Sequence, residues 1–219
     1  MLTLISATPS PYARKNRIAM IEKGIPFDLQ TEIPWHSATE TPKYNPLEKL
    51  PILIFDDGRP PIYESWYIQE YIVRKYQGTG PDLMPKELDD QLIVKKIQVL
   101  ADGACDAMGL VFFETARGEL MSKEWFDRQM RKVNGVIKAM DELVRENKGR
   151  KFLVCDEFSV ADIAVGAMLG MMNMVETKYG LIHWKEQYPE LRKYWEMLES
   201  RESFKETQPV MFELTEKVA

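Results

Sequence analysis

Apolar positions along the first eighty residues change period several times. "LTLIS" (2–6) is a short apolar run bounded by turn residues and reads as a buried strand. "RKNRIAMIEKG" places Ile18, Met20 and Ile21 toward one side and closes on Gly24, a common helix ending. "FDLQTEI" alternates apolar and polar residues, which predicts a second strand. After a longer loop, "PWHSATETPKYNPLEK", the β-branched run "LPILIF" meets "DDG" and then "PPIY", the pattern of a hairpin. "ESWYIQEYIVRKY" returns to helical spacing through Ile68, Tyr71 and Ile72. Strand–helix–strand, hairpin, helix predicts a small mixed sheet with helices packed on it.

Past "QGTGPDLMP", rich in Gly and Pro, the strand signals stop. The pattern divides the chain into an α/β domain over 1–78, a linker over 79–86 and an all-helical domain over 87–219. The second part opens with a long helical pattern from Glu87 into the 110s. In "KEWFDRQMRKVNGVIKAMDELVREN", Phe126, Met130, Val133, Ile137, Met140 and Val144 form the stripe of a bundle seam. "FSVADIAVGAML" contains Ser159-x-x-Asp162, a capping box with Asp in place of Glu, so this pair reads as a folding device rather than a catalytic one. "PELRKYWEMLESRESF" is a further amphipathic helix.

Composition narrows the function classes. The 219 residues carry a net charge of -5 and no basic tract of five or six, which disfavours a nucleic-acid partner. Two cysteines, Cys105 and Cys155, stand far apart, form no CxxC, and read as buried small apolar groups in a reducing compartment. No metal-ligand spacing stands out. The apolar run "VADIAVGAMLGMMNMV" is short for a bilayer and carries Asp162, so it reads as a core helix and no membrane partner is expected. The start lacks a basic region and a long apolar run, so no secretion signal is read there and a cytoplasmic protein is expected.

Candidate chemistry begins at "ATPSPYARK". Proline suits the first helical position and the serine before it suits the N-cap, so Ser10 caps a helix that starts at Pro11. By itself that is a sufficient account of Ser10. Leu50-Pro51 stands at the start of a strand, where proline is tolerated, and Glu64-Ser65 opens a helix after another strand. In this order the pieces "SPYARKNRIAMIEKGI", "NPLEKLPIL", "IYES" and "FSVADIAVGAML" resemble the cytosolic glutathione transferases, and the resemblance covers nearly the whole chain.

That resemblance implies a thioredoxin-like first domain, a helical second domain, a homodimer, and glutathione as co-substrate. The chain is similar to serine-type bacterial and fungal members. Where glutaredoxins carry Cys-Pro-Tyr-Cys, this chain has Ser10-Pro11-Tyr12-Ala13, which disfavours thiol–disulfide exchange by the protein itself. Ser10 is the implied donor to the glutathione thiolate, with Thr8 and Ser6 as neighbouring hydroxyls. Pro51 matches the family's cis-proline, presenting the backbone of Leu50 to the cysteinyl part. Glu64 and Ser65 match the pair that holds the γ-glutamyl group, Lys49 a residue directed at the glycyl carboxylate, and His36 a loop contributor.

Tyr12, Trp35, Met108 and Phe112 are candidates for the pocket of a small apolar electrophile. Two positions depart from the family, which often has a small residue where Glu48 and Tyr67 stand. The implied activity is conjugation of glutathione to an electrophile. A non-catalytic carrier or regulator and a glutathione-dependent aryl-ether lyase are the alternatives.

Overall fold

Short apolar runs and helix caps produce the elements that the pattern predicts. The computed structural model describes residues 1–147 and 149–211. Strand β1 (Leu2–Ser6) leads into α1 (Pro11–Glu22), followed by β2 (Phe27–Thr31), the short α2 (Thr41–Tyr44), β3 (Ile52–Phe55), β4 (Ile62–Tyr63) and α3 (Ser65–Lys75). The sheet order is β2-β1-β3-β4. β1 and β2 are parallel, whereas β3 is antiparallel to both β1 and β4. This is the thioredoxin-like arrangement. Leu4, Ile5, Ile52 and Leu53 from the sheet, and Ile18, Met20, Ile68 and Ile72 from α1 and α3, are buried. β2 is an edge strand, so its alternation buries little and Leu29 remains 45% exposed.

The helical unit comprises α4 (Leu88–Ala116), α5 (Lys123–Glu146), α6 (Val160–Tyr179), α7 (Trp184–Gln187) and α8 (Pro189–Glu199). On α5, Val133, Ile137 and Met140 are fully buried, while Phe126, Met130 and Val144 at the ends of the stripe are half-buried. Helix α6 has 20 residues, long and apolar enough to cross a membrane by length and composition. Length therefore does not identify it, but burial does: it is the core helix of its unit. Ser159 and Asp162 form the reciprocal capping box. Asp162 also accepts from Leu153 N (3.0 Å) and from the Tyr194 hydroxyl (2.6 Å), so four donors satisfy one buried carboxylate. Burial pushes both groups up, Tyr194 well above the usual phenol value.

Two expectations change. Cys155 is exposed, not buried, because it sits in a tight turn with φ +54°; Cys105 is buried as read. A hydrogen bond to Asp90 pushes the Cys155 thiol up, which makes it a poor nucleophile.

The second change concerns the chain from Arg201. Residues 201–211 group with Met1–Met84, while Pro85–Ser200 forms the other compact unit. The short α9 (Glu202–Lys205) lies on α1. The buried Arg14 donates to Phe204 O (3.1 Å) and to the Thr207 hydroxyl (3.4 Å), and Val210 N reaches Thr8 O (3.3 Å). Arg201 makes paired bonds of 2.9 and 2.7 Å to the Glu22 carboxylate, which Ser203 also contacts.

Burial alone would raise the Glu22 carboxyl. The hydrogen bonds from Arg201 and Ser203 and the Arg201 charge outweigh it and leave the group below its ordinary value. A carboxyl lowered on folding contributes stability that is full above its unfolded value, about 4.3, and is lost as pH falls through the folded one. Arg201→Ala is therefore expected to lower unfolding free energy by about 1–3 kcal/mol at neutral pH. The gap between the two proteins should close below about pH 3; denaturant unfolding at pH 7 and pH 3 checks it.

Candidate functional site

Strand register decides which loops meet. Ile5 of β1 pairs with Ile52 of β3, and Ile52 pairs with Tyr63 of β4. The end of β1, the start of β3 and the end of β4 therefore lie in one row. β2 runs parallel to β1 and ends beside it, with Ser6 opposite Thr31. Four chain segments follow from that row at one end of the sheet: the turn to Ser10, the loop bearing Trp35 and His36, the approach to Pro51, and Glu64–Ser65. Helices α1 and α3 start there too, and two long helices present N–H groups and positive dipole ends to that edge.

Ser10 is the N-cap of α1. Its hydroxyl oxygen accepts from Ala13 N at 3.2 Å, and Pro11 follows at the first helical position. The cap uses the oxygen as acceptor and leaves the hydroxyl proton without an acceptor among the described residues. Ser6 is buried and bonds Ala7 O at 3.5 Å, so it stands away from this role. Thr8 is tied to Val210 through its carbonyl. Tyr12, half-buried, occupies the first turn of α1.

The Leu50–Pro51 peptide bond is cis. A turn organised by Asn45 precedes it. The Asn45 side chain accepts from Leu47 N (2.9 Å) and donates to Lys49 O (2.8 Å), and its backbone carbonyl accepts from Glu48 N (2.9 Å). Glu48 has φ +54°, a left-handed conformation that glycine adopts most readily. The small residue common in the family thus fits the backbone better than the one present. Lys49 is exposed and Pro51 buried.

Glu64 has φ +74° with ψ 117°, outside the ordinary regions for an L-residue. Its carboxylate is exposed and accepts from the Ser65 hydroxyl at 3.3 Å. Ser65 is buried at the first position of α3. Backbone strain at an exposed carboxylate beside a helix N-terminus is where function rather than folding dictates geometry.

The loop after β2 is held by Glu32. Its Oε1 accepts from Glu40 N (2.7 Å), Thr41 N (3.2 Å), the Thr41 hydroxyl (3.1 Å) and the Thr39 hydroxyl. His36 is half-buried, and its Nε2 has no partner among the described residues. Trp35 is exposed. Asn45 could have been found from "NP", since Asn readily bonds the backbone two residues on. Glu32 has no local signal.

The pocket candidates of the helical unit separate. Met108 is 1% exposed and belongs to the stripe Val94, Ile97, Ala101, Ala104, Cys105 and Val111 that forms the core side of α4. It is a core residue and is corrected as such. Phe112 is half-buried and makes edge-to-face contacts with Phe113 (5.6 Å) and Tyr179 (6.3 Å). Among the described residues, Glu176, His183 and Glu186 bring ligand-type atoms within 4.8 Å of one another. Lys185 Nζ stands 3.0 Å from Glu176 and supplies positive charge there.

Residues 9–75 match the family model for the glutathione S-transferase N-terminal domain, and residues 101–202 that for the C-terminal domain. An uncharacterized GST-like protein, YibF, from Escherichia coli is 32% identical over 95% of this chain and 98% of its own. Glutathione S-transferase U11 of Arabidopsis thaliana is 28% identical over 84% of this chain and 81% of its own. A glutathione S-transferase from Methylobacterium radiotolerans, solved with glutathione sulfonate, is 41% identical with a TM-score of 0.91, covering 100% of this chain and 99% of that one. One from Methylobacillus flagellatus, solved with glutathione, is 34% identical with a TM-score of 0.87, covering 96% and 100%.

The strain at Glu64 gives a test of the site. Glu64→Gly removes the backbone cost and the carboxylate together. Stability should rise by about 1 kcal/mol, the strain relieved less the added chain entropy of glycine, while glutathione affinity falls. Thermal melting and calorimetric titration of the same protein read the two opposite changes.

Proposed function

Since the chain belongs to the glutathione S-transferase family, we propose that it binds reduced glutathione at this end of the sheet and delivers its thiolate to a small apolar electrophile. The observation that carries the reading is the convergence of Ser10, the Leu50–Pro51 bond and Glu64–Ser65 on one row of paired residues, with two helix N-termini beside them. From β1 through β3 to β4 is two strand spacings, roughly 10 Å. An extended peptide of three residues spans about the same distance.

Each residue has a role in this reading. Ser10 donates its uncommitted proton to the sulfur. The Leu50 backbone meets the cysteinyl part, Glu64 and Ser65 take the γ-glutamyl end, Lys49 takes the glycyl carboxylate, and His36 contributes from the loop. Tyr12 and Trp35 offer apolar surface to the acceptor. The thiolate attacks the electrophilic carbon, a C–S bond forms, and the leaving group departs with the bonding pair. The thiol proton has already passed to solvent. Catalysis then rests on proximity and on a preformed nucleophile.

Magnitudes decide what Ser10 must supply. A free thiol titrates near ~8.5, and lowering it by about two pH units requires ~2.7 kcal/mol. A helix N-terminus contributes ~0.3–1 kcal/mol, and up to ~2 when partly buried. A hydrogen bond to a charged group adds ~1.5–3 kcal/mol. Neither suffices alone over most of its range, but together they do. The family further supports a homodimer, and Trp66 (39% exposed) and Tyr67 (52%) on α3 offer apolar surface for it. Two free thiols fit a reducing, cytoplasmic setting.

The test is an ultraviolet thiolate titration of bound glutathione. The wild-type protein should hold the thiol roughly one to two pH units below its free value, and Ser10→Ala should return it most of the way and slow turnover with an aryl halide. Tight binding with an unshifted thiol would instead make the protein a carrier.

A further inference from the structure

We infer that Asn16 is a positioning residue: it ties the first turn of α1 to the first residue of α3 and so sets the spacing between Ser10 and Ser65. The inference rests on the reading of those two residues as glutathione contacts. Asn16 is 0% exposed in the middle of α1. Its Nδ2 donates both hydrogens, one to Tyr12 O at 3.2 Å and one to Ser65 O at 3.1 Å. Those acceptors lie in the two segments that the site depends on. A second tie runs in the opposite sense, from Gln69 Nε2 on α3 to Lys15 O on α1 at 3.4 Å. Gln69 is buried as well.

Packing does not explain these amides. The buried residues of the two helices include Ala13, Ile18, Ala19 and Met20 on α1 and Ile68 and Ile72 on α3, beside the polar Arg14, Lys15, Ser65 and Gln69. An aliphatic side chain would fill the position, suit the helix better, and leave no polar atom behind. Asn16 does leave one: its Oδ1 is buried with no partner among the described residues. The amide orientation follows from its neighbours, because the flipped form would set Oδ1 against two carbonyl oxygens. A buried amide kept with half its bonding capacity unused, and directed at the first residue of the neighbouring helix, is the signature of a side chain retained for geometry at the expense of stability.

Asn16→Leu tests this, because leucine keeps the branched outline of the side chain and has no donor, although its two methyl groups take more room than the amide. The melting temperature should change little, because removal of the unpaired oxygen offsets the added bulk. The KM for glutathione should rise roughly tenfold while kcat at saturation changes far less, the split expected of a supporting residue. Backbone hydrogen exchange at residues 68–70, the first amides of α3 with helical acceptors, should accelerate. A purely structural role would lower the melting temperature and leave KM unmoved; that result, or unchanged exchange, overturns the inference. Should Asn16→Leu not fold, Asn16→Ser replaces it: serine still reaches the carbonyl four residues back but not α3, so the same rise in KM and faster exchange are expected. If the wild-type protein does not bind glutathione, the functional reading falls, and exchange at 68–70 alone then decides whether the tie exists.

Discussion

One row of backbone pairing governs this protein. Because Ile5 pairs with Ile52 and Ile52 with Tyr63, the loops that follow β1, precede β3 and follow β4 have nowhere else to go than one end of the sheet. A shift of one residue in any of these strands would turn its apolar face outward. The register is thus enforced by the burial of Leu4, Ile5, Ile52 and Leu53, residues without chemistry of their own. The site inherits its geometry from the core.

Helices α1 and α3 convert that geometry into electrostatics. Each begins at the functional edge, and each is started by a residue that also belongs to the candidate site. Ser10 serves the fold as an acceptor and keeps a proton to give. Glu64 serves the turn into α3 at the expense of a backbone conformation that side chains avoid. The two differ in kind: the cap stabilises the protein, while the strained turn costs it stability.

Local signals made much of this legible. "SPY" announces a capped helix, "SVAD" a capping box, and "LPILIF" with "DDG" a strand and its turn, because each is a bargain among near neighbours. The resemblance then joined segments that pattern alone kept apart. What escaped is non-local. Asn16 finds its partner 49 residues away and Arg14 its own 190 away, and neither distance leaves a mark on composition. Met108 was misread because helical spacing shows that a stripe exists but not which way it faces. Cys155 was misread because a turn with positive φ has no signature at a cysteine.

The return of the chain from Arg201 onto α1 bears on how the protein is made. Synthesis runs from the N-terminus, and domains generally fold as their sequence emerges. Here the first unit is finished only by residues made after the helical unit: Phe204 and Thr207 receive the buried Arg14, and Arg201 closes on Glu22. The nascent sheet and its two helices must wait, with these cations and this carboxylate still in water, until the whole helical unit has been translated. The segment carrying Ser10 thus takes its final setting only after the helical unit has been made, and an isolated fragment ending near residue 84 is a different physical object from the unit that residues 201–210 complete.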